Sequence, residues 1–588
     1  MELSTGERAL KALRPVRVLH PTLLSLCPLL GLFAQNLDTV QTGAILRPAL
    51  VLAGISFLVT AVLAIALRNR YKAGLVTSTL IVSLVVVWGV LEDLISRAIP
   101  LYPTMPPVAF YILYAVLALA ASGFAVYEYR NDPTRLRVHL FFLAAMLAGG
   151  LLIAALVLSP MFGRRAAWII TAYLMITVYA VVVVLRYPDD FQVMTRSANW
   201  FSGILLGLYV VVIIYNWPHS SGAQSKLTDL PAPQPTMFSP QTTPDIYFIA
   251  LDGYGRGDTL RTFYGYNSLP FEEAMNAKGF SFSDKSTSNY LDVPLALTSC
   301  LNLEFAHNML SDTAEPSSAS TTELMRLYHQ NRLFRYLKNL NYHIVAFSPG
   351  IESMEPAGSV DEVLRPPYGL TEFEMVLLNR TIVSRIMEGI YYVRYRNPAA
   401  WGFSHLRRRV QFTLNELEKL PEASSDSPRL VYAYLPFPEP PYLLTRDGGL
   451  AQPFGPGSLG IDRMFRGLES DYREAYLDQV SYLNKRLDTV TTAIVEKSKR
   501  PVCVLIASCR GARVSLNAAE PSQRERFAIL TASRFPQASG EGLPQDVGLV
   551  NLFRATLNKL FGTSLPLLPN EYLSPPPGEP FKKVVASF

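Results

Sequence analysis

Imidazole is scarce in this sequence: seven histidines stand among 588 residues, and the last is His405. No histidine base or metal ligand can therefore come from any segment beyond it. Cysteine is scarcer still. Cys27, Cys300, Cys503 and Cys509 include no pair at CxxC spacing, which excludes a zinc ribbon, a thioredoxin-type redox pair and a disulfide framework. Charged residues make up only 17% of the chain and the net charge is +6. Much of the Lys and Arg lies in short stretches between apolar runs, so the charge pattern points away from nucleic acid as a partner. No internal repeat or low-complexity tail stands out.

What is present is long apolar sequence. The mean hydropathy is positive, and the length exceeds one ordinary domain. Before about Pro218 the chain is a series of apolar segments: Val18 to Asn36, Pro48 to Leu67, Ala73 to Leu91, Pro106 to Val126, Val138 to Leu158, Ala166 to Leu185 and Trp200 to Trp217. Each has the roughly 20 residues that a helix needs to cross the hydrocarbon core of a bilayer. The first ends in Phe33-Ala34-Gln35-Asn36 without a small-residue cleavage site, so it is expected to be an uncleaved signal anchor. Arg8, Lys11, Arg14, Arg17, Arg68, Arg70, Lys72, Arg130, Arg135, Arg137, Arg186 and Arg196 fall on one side of these segments. Only Arg47, Arg97, Arg164 and Arg165 fall on the other, which sets the N-terminus in the cytoplasm and everything beyond Trp217 outside. Trp200, Trp217, Tyr187 and Tyr215 suit the interfacial belt. Ionisable residues are nearly absent from the apolar cores, which favours an anchor over an ion path. Glu92 and Asp93, at the outer end of the third segment, either terminate a helix or face a partner or lipid head group.

Residues 218–244 carry Pro231, Pro233, Pro235, Pro240 and Pro244 among Ser, Thr and Gln, the composition of an extended spacer. From 245 to 588 the pattern changes to α/β. Strands are expected at Asp245 to Leu251, His343 to Phe347, Arg429 to Leu435 and Val502 to Ala507. Helical patterns at Glu323 to Lys338, Phe412 to Leu420, Glu474 to Val495 and Leu549 to Phe561 alternate with them. The alternation argues for a mostly parallel sheet covered on both faces, an αβα sandwich, following a helical transmembrane domain at 1–217. Chemistry in such sheets gathers at the carboxyl ends of strands. Three ends are candidates: Asp252, the segment after Leu435 and the segment after Ala507.

The phrases DIYFIALDGYGRGDTL from Asp245, KGFSFSDKSTSNY from Lys278, YLDQVSYLNKRL from Tyr476, RERFAIL from Arg524 and NLFRATLNKLFGTSLPLLPNEY from Asn551 together resemble the alkaline-phosphatase superfamily. The resemblance is to its membrane-anchored sulfatase-like branch, which includes lipoteichoic-acid synthases and phosphoethanolamine transferases. It covers the chain from about Asp245 to the C-terminus. It implies a hydroxyl nucleophile at a helix N-terminus and a divalent cation (Mn, Mg, Zn or Ca) held by carboxylates and a histidine. Carried over position by position, the first carboxylate is retained as Asp252. Val293 stands where the nucleophile belongs, in Leu291-Asp292-Val293-Pro294. Phe437 replaces the histidine of LPHPPY, and Ser508-Cys509-Arg510-Gly511 replaces the metal-binding SDHG. No catalytic group and no metal site is intact on this reading, and no cofactor is expected.

One pairing follows from the resemblance. Arg510 is expected beside Asp252, its guanidinium taking the place of the cation's charge. The competing role for Asp252 is a turn residue that accepts backbone hydrogen bonds. Asp292 fits an N-cap with Pro294 in the first turn, or alternatively a displaced carboxylate nucleophile. Thr298 and Ser299 fit packing hydroxyls, and Cys300 is a candidate disulfide partner of Cys503 or Cys509. The aromatics of the proline-rich loop Phe437 to Tyr442 suit packing of a large domain, or alternatively a glycan or a partner protein. The expected function is a membrane-anchored pseudoenzyme in the bacterial cytoplasmic membrane with a periplasmic domain. Its expected partners are the lipid bilayer, other membrane-protein subunits or envelope glycans and lipids. One alternative is an active hydrolase or transferase of phosphoryl, sulfuryl or lipid-linked head groups that needs a divalent metal. The other makes the bundle the working part, in lipid handling or transport, with the outer domain as its lid.

Overall fold

The computed structural model describes residues 16–37, 40–83, 164–186, 191–217, 230, 243–310, 321–367, 369–395, 400–442, 444–451, 469–513, 522–536, 542–576 and 579–586. The chain divides into two compact units: Met1–Trp217 with Phe373–Trp401, and Pro218–Glu372 with Gly402–Phe588.

The first unit is helical, as its long apolar runs demand. Helices cover His20–Ala34, Leu46–Leu67, Arg70–Ile81, Arg164–Arg186 and Gln192–Tyr215. The second and third are joined by a two-residue turn. Arg68 adopts a left-handed conformation that ends one helix, and the Asn69 side chain then accepts hydrogen bonds from the backbone N–H groups of Tyr71 and Lys72, both at 3.0 Å, to begin the next. Among the described residues, Thr42–Leu67 and Gln192–Tyr215 are long and apolar enough to cross a membrane. Much of their outward surface is apolar, including Phe57, Leu58, Ile65, Trp200 and Phe201. The first apolar segment falls on the shorter helix His20–Ala34, and the third begins within Arg70–Ile81. The segments Pro106 to Val126 and Val138 to Leu158 lie outside the described residues, as do Glu92, Asp93 and nearly all of the spacer 218–244.

The second unit is built on a seven-stranded mixed sheet. Its strands are β1 (Asp245–Asp252), β2 (Ser281–Phe282), β3 (His343–Phe347), β4 (Glu362–Leu364), β5 (Arg429–Pro438), β6 (Val502–Ser508) and β7 (Thr531–Arg534). Their order is β2-β7-β6-β1-β5-β3-β4. β1 runs parallel to both neighbours, with Ile249 opposite Ala433 of β5 and Ile506 of β6. β7 pairs antiparallel to β6 and to β2, so the sheet is mixed at one edge. The short strands β2, β4 and β7 were not legible in the hydrophobic pattern.

All eight residues of β1 are buried, because both faces of the sheet are covered. Alternate residues point to opposite layers. Ile246, Phe248 and Ala250 join a core with the helices Val293–Asn302 and Leu552–Phe561. Tyr247, Ile249 and Leu251 join another with Val410 and Leu414 of the helix Ala400–Lys419, and with Tyr476, Val480 and Leu487 of Glu469–Lys497. The expected single helix over Glu323 to Lys338 is two, Thr321–His329 and Arg332–Asn339. Asn331 interrupts it because its side chain caps the second helix, accepting from the Phe334 N–H at 2.8 Å.

The sequence pattern suggested an unbroken domain from 245 to 588. The structure instead returns Phe373–Trp401 to the first unit. Phe373 and Leu377 pack there with Leu29, Leu32, Phe33 and Val40, and Glu374 pairs with Arg47.

Phe248 anchors the centre of the sheet, stacked on Tyr432 with centroids 5.6 Å apart and edge-on to Phe553 at 5.1 Å. Phe248→Ala should lower stability by about 3–5 kcal/mol. Chemical unfolding of the full chain, followed by tyrosine and tryptophan fluorescence, measures the loss.

Candidate functional site

Three adjacent strands, β5, β1 and β6, end at the same edge, and the chain segments leaving them converge. Asp252 is the last residue of β1 and is buried. Arg510 follows β6 by two residues. Its Nε donates to Asp252 Oδ1 at 2.7 Å and its Nη2 to Asp252 Oδ2 at 3.1 Å. The arrangement is a two-pronged guanidinium–carboxylate pair, the strongest common form of that interaction. Tyr434 of β5 adds a hydrogen bond from its hydroxyl to Asp252 Oδ2 at 3.2 Å. Asp252 is thus an ion-pair partner rather than a simple turn residue.

A second carboxylate faces the same guanidinium. Glu439 Oε1 lies 3.4 Å from Arg510 Nη2 and 3.9 Å from Arg526 Nη2. The register of β5 explains why this residue and not Phe437 arrives here. Leu435 is level with Leu251, but Asp252 is level with Pro438, so two residues of β5 bulge out and Glu439 moves into the site. Phe437 is fully buried in the core, edge-on to Tyr482. Proline-proline-tyrosine counted back from Tyr442 would have placed Glu439 at the histidine's position. The run from Leu435, counted forward, pointed to Phe437 and was misleading.

The backbone holds the pair in register. Cys509 N–H donates to Leu251 O at 2.7 Å, Gly253 N–H to Arg510 O at 3.2 Å and Glu439 N–H to Asp252 O at 2.8 Å. Gly253 has a φ of +81°, and a Cβ on it would lie 2.5 Å from Glu439 Oε2. Gly511 has no space either, since a Cβ there would meet the carbonyl oxygen of Ala528 at 2.3 Å. The loop after β1 is braced from the helix Glu469–Lys497. Tyr476 donates its hydroxyl to Gly253 O at 2.9 Å, and Tyr254 donates to Asn484 Oδ1 at 2.6 Å. This is what the YLDQVSYLNKRL phrase does in three dimensions.

The electrostatics follow from burial. Burial opposes the charge on Arg510, but the Asp252 and Glu439 carboxylates outweigh it and raise its pKa above the usual guanidinium range. Burial raises the pKa of Glu439, with Arg510 acting against the rise and Asp252 adding to it. Burial and the neighbouring Arg510 charge pull Arg526 below the ordinary arginine range.

The remaining predicted residues divide. Asp292 is the N-cap of the helix Val293–Asn302, its Oδ1 accepting from the Leu295 N–H at 3.0 Å. It lies within Coulombic reach of both Arg510 and Asp252. Val293 is the first residue of that helix and is buried. Thr298 and Ser299 are enclosed further along it. Cys509 is buried, and burial pushes its thiol well above the ordinary range. All four cysteines are free, which corrects the expected pairing of Cys300: these are apolar side chains of the interior.

A divalent cation does not fit this set of donors. Both oxygens of Asp252 are engaged by Arg510, and a second cation there would face the guanidinium directly. Among the described residues no group of three or more His, Cys, Asp or Glu side chains is placed to hold a metal.

No family model and no curated protein matches the chain. Solved structures similar to it include the C-terminal periplasmic domain of EcEptC from Escherichia coli in complex with Zn, at 11% identity over 57% of this chain and 87% of that one, TM-score 0.38. The soluble domain of lipooligosaccharide phosphoethanolamine transferase A from Neisseria meningitidis is similar at 13% identity over 56% and 91%, TM-score 0.36. A protein in the alkaline phosphatase superfamily from Vibrio parahaemolyticus is similar at 10% identity over 56% and 72%, TM-score 0.31. Two of these names, a phosphoethanolamine transferase and an alkaline phosphatase superfamily protein, are those of the groups that the sequence phrases resemble. At such identities and TM-scores the likeness transfers no residue role to this chain.

Removing one partner of a buried ion pair strands the other. Arg510→Met should therefore destabilise the full chain by about 3–5 kcal/mol. Combined with Asp252→Asn, the loss should be smaller than the sum of the single losses by about 1–3 kcal/mol. Unfolding of the four proteins in mild detergent measures this coupling, and additive losses would deny it.

Proposed function

We propose that this chain is a membrane-anchored, sulfatase-like protein whose former catalytic edge has become a structural ion-pair cluster. It acts as a binding or structural subunit of a cell-envelope assembly rather than as a hydrolase. The observation that carries this reading is the Arg510 guanidinium lying against Asp252 and Glu439, where the resembled chemistry requires a free cation. Valine at the first position of the adjacent helix supports it, since an alkyl side chain cannot attack phosphorus or sulfur. The apolar segments from Val18 to Trp217 form the multi-pass anchor, with the N-terminus in the cytoplasm and the sheet-bearing unit in the periplasm. The two long apolar helices and the one-sided distribution of Arg and Lys support that orientation.

The alternative, an active phosphoryl or sulfuryl transferase, requires a cation bound beside Asp252. Elemental analysis of the full chain, purified in detergent and dialysed against each of Mn, Mg, Zn and Ca, separates the readings. The proposal expects no stoichiometric metal and no hydrolysis of aryl phosphate, phosphodiester or sulfate esters. It further expects Arg510→Ala, which uncovers two carboxylates, to take up Mn²⁺ in an electron paramagnetic resonance titration where the native chain does not. Stoichiometric metal on the native chain together with ester hydrolysis would reject it.

A further inference from the structure

The segment Phe373–Trp401 contains a helix whose amphipathicity is inverted for contact with water. It comprises the helices Glu372–Asn379 and Ile382–Tyr395. On the second helix Val383, Ile386 and Ile390, spaced three and four apart, form one stripe and are 42%, 54% and 53% exposed. Two polar residues between them face inward: Ser384 and Glu388 are buried, with the Ser384 hydroxyl donating to Thr381 O at 3.0 Å. A helix that turns its carboxylate to the protein and its β-branched residues outward is built for an apolar surrounding.

The first unit fixes the level at which this stripe lies. Phe373 and Leu377 pack against Leu29, Leu32 and Phe33 at the end of the helix His20–Ala34. Ile45 just before Leu46–Leu67, Ala49 in its first turn, and Ile213 from the end of Gln192–Tyr215 join the same cluster. Arg47, at the start of the apolar span Thr42–Leu67, donates its Nε to Glu374 Oε1 at 2.6 Å. The helix Glu372–Asn379 is therefore seated where three helices terminate at one end of the bundle. The Ile382–Tyr395 helix starts two residues after Arg380, which is exposed, and Arg394 near its other end is exposed as well. Two arginines flanking an outward apolar stripe match the phosphate level of a bilayer.

We infer that the helix Ile382–Tyr395 lies in the membrane interface, its Val383, Ile386 and Ile390 stripe inserted among lipid acyl chains at the end of the bundle where Arg47 sits. The occupant is lipid because the segment packs on Ala49 and Ile213 of the two long apolar spans, which themselves turn Phe57, Leu58 and Ile214 outward. The chain leaves the sheet-bearing unit at Glu372 and returns to it at Gly402, so this helix is a membrane tether separate from the spacer 218–244. The inference rests on the membrane-anchored reading above and adds a site to it.

The test uses the full chain in vesicles of phosphatidylethanolamine and phosphatidylglycerol. Nitroxide labels are placed at Ile386→Cys and Ile390→Cys, with Leu58→Cys as the span reference and Asp447→Cys as the water reference; the four native cysteines are buried. Accessibility to oxygen and to a water-soluble nickel chelate is read by power saturation. Labels at 386 and 390 should show an oxygen-to-nickel ratio several-fold above that at 447, at a depth of about 5–10 Å below the phosphates. Nickel access equal to that at 447, with Leu58→Cys still in lipid, overturns the interfacial helix and leaves the anchor standing. Protection from both reagents means that protein covers the stripe, a second copy included, and also overturns it. Nickel access at Leu58→Cys would remove the anchor and the helix together.

Discussion

A buried carboxylate at the end of a central strand must be neutralised by something, and here that requirement is met by a covalently attached cation. Asp252 ends β1 between its two parallel neighbours, where no solvent reaches it freely. Arg510 arrives from β6 and Glu439 from β5, so the three strands that define the centre of the sheet are linked through one guanidinium. The local features around them serve that geometry. Glycine at 253 lets Glu439 approach, glycine at 511 lets the backbone turn closely, and the tyrosines at 254 and 476 brace the loop.

The same interaction carries the proposed functional reading. A metal ion bound between carboxylates can accept a substrate oxygen and exchange water. A guanidinium held by both oxygens of one carboxylate and touching another has no open coordination position and does not give up its proton at physiological pH. Its charge keeps the sheet edge intact, and the proposed reading is that it stands in place of a catalytic cation. Asp292 completes the picture from the neighbouring helix: its carboxylate caps the N-terminus, the place where an anionic substrate group would otherwise meet backbone N–H groups.

How much of this was legible in the sequence depends on whether local spacing was preserved. β1 and β6 lie in direct register along their whole length, so Asp252 and Arg510 were readable as neighbours from two short phrases. β5 bulges between Leu435 and Pro438, which displaces the rest of its loop by two residues; a run counted from its start points to Phe437, while the structure delivers Glu439. The free cysteines were obscured for a different reason, since burial and disulfide bonding use the same apolar surroundings. The return of Phe373–Trp401 to the first unit was hidden because helical periodicity shows which face is apolar but not whether that face turns inward. Val383, Ile386 and Ile390 resemble a core stripe in sequence and are exposed in the fold.

The occupant of the space between the Asp252 and Glu439 side chains distinguishes a structural edge from a catalytic one. Crystals of the native chain grown with saturating manganese, and measured at the manganese absorption edge, address it directly. An ion-pair cluster predicts an anomalous difference map with no peak beside Asp252 and clear density for the Arg510 guanidinium between the two carboxylates. A manganese peak bound to Asp252, with Arg510 swung away, would contradict it.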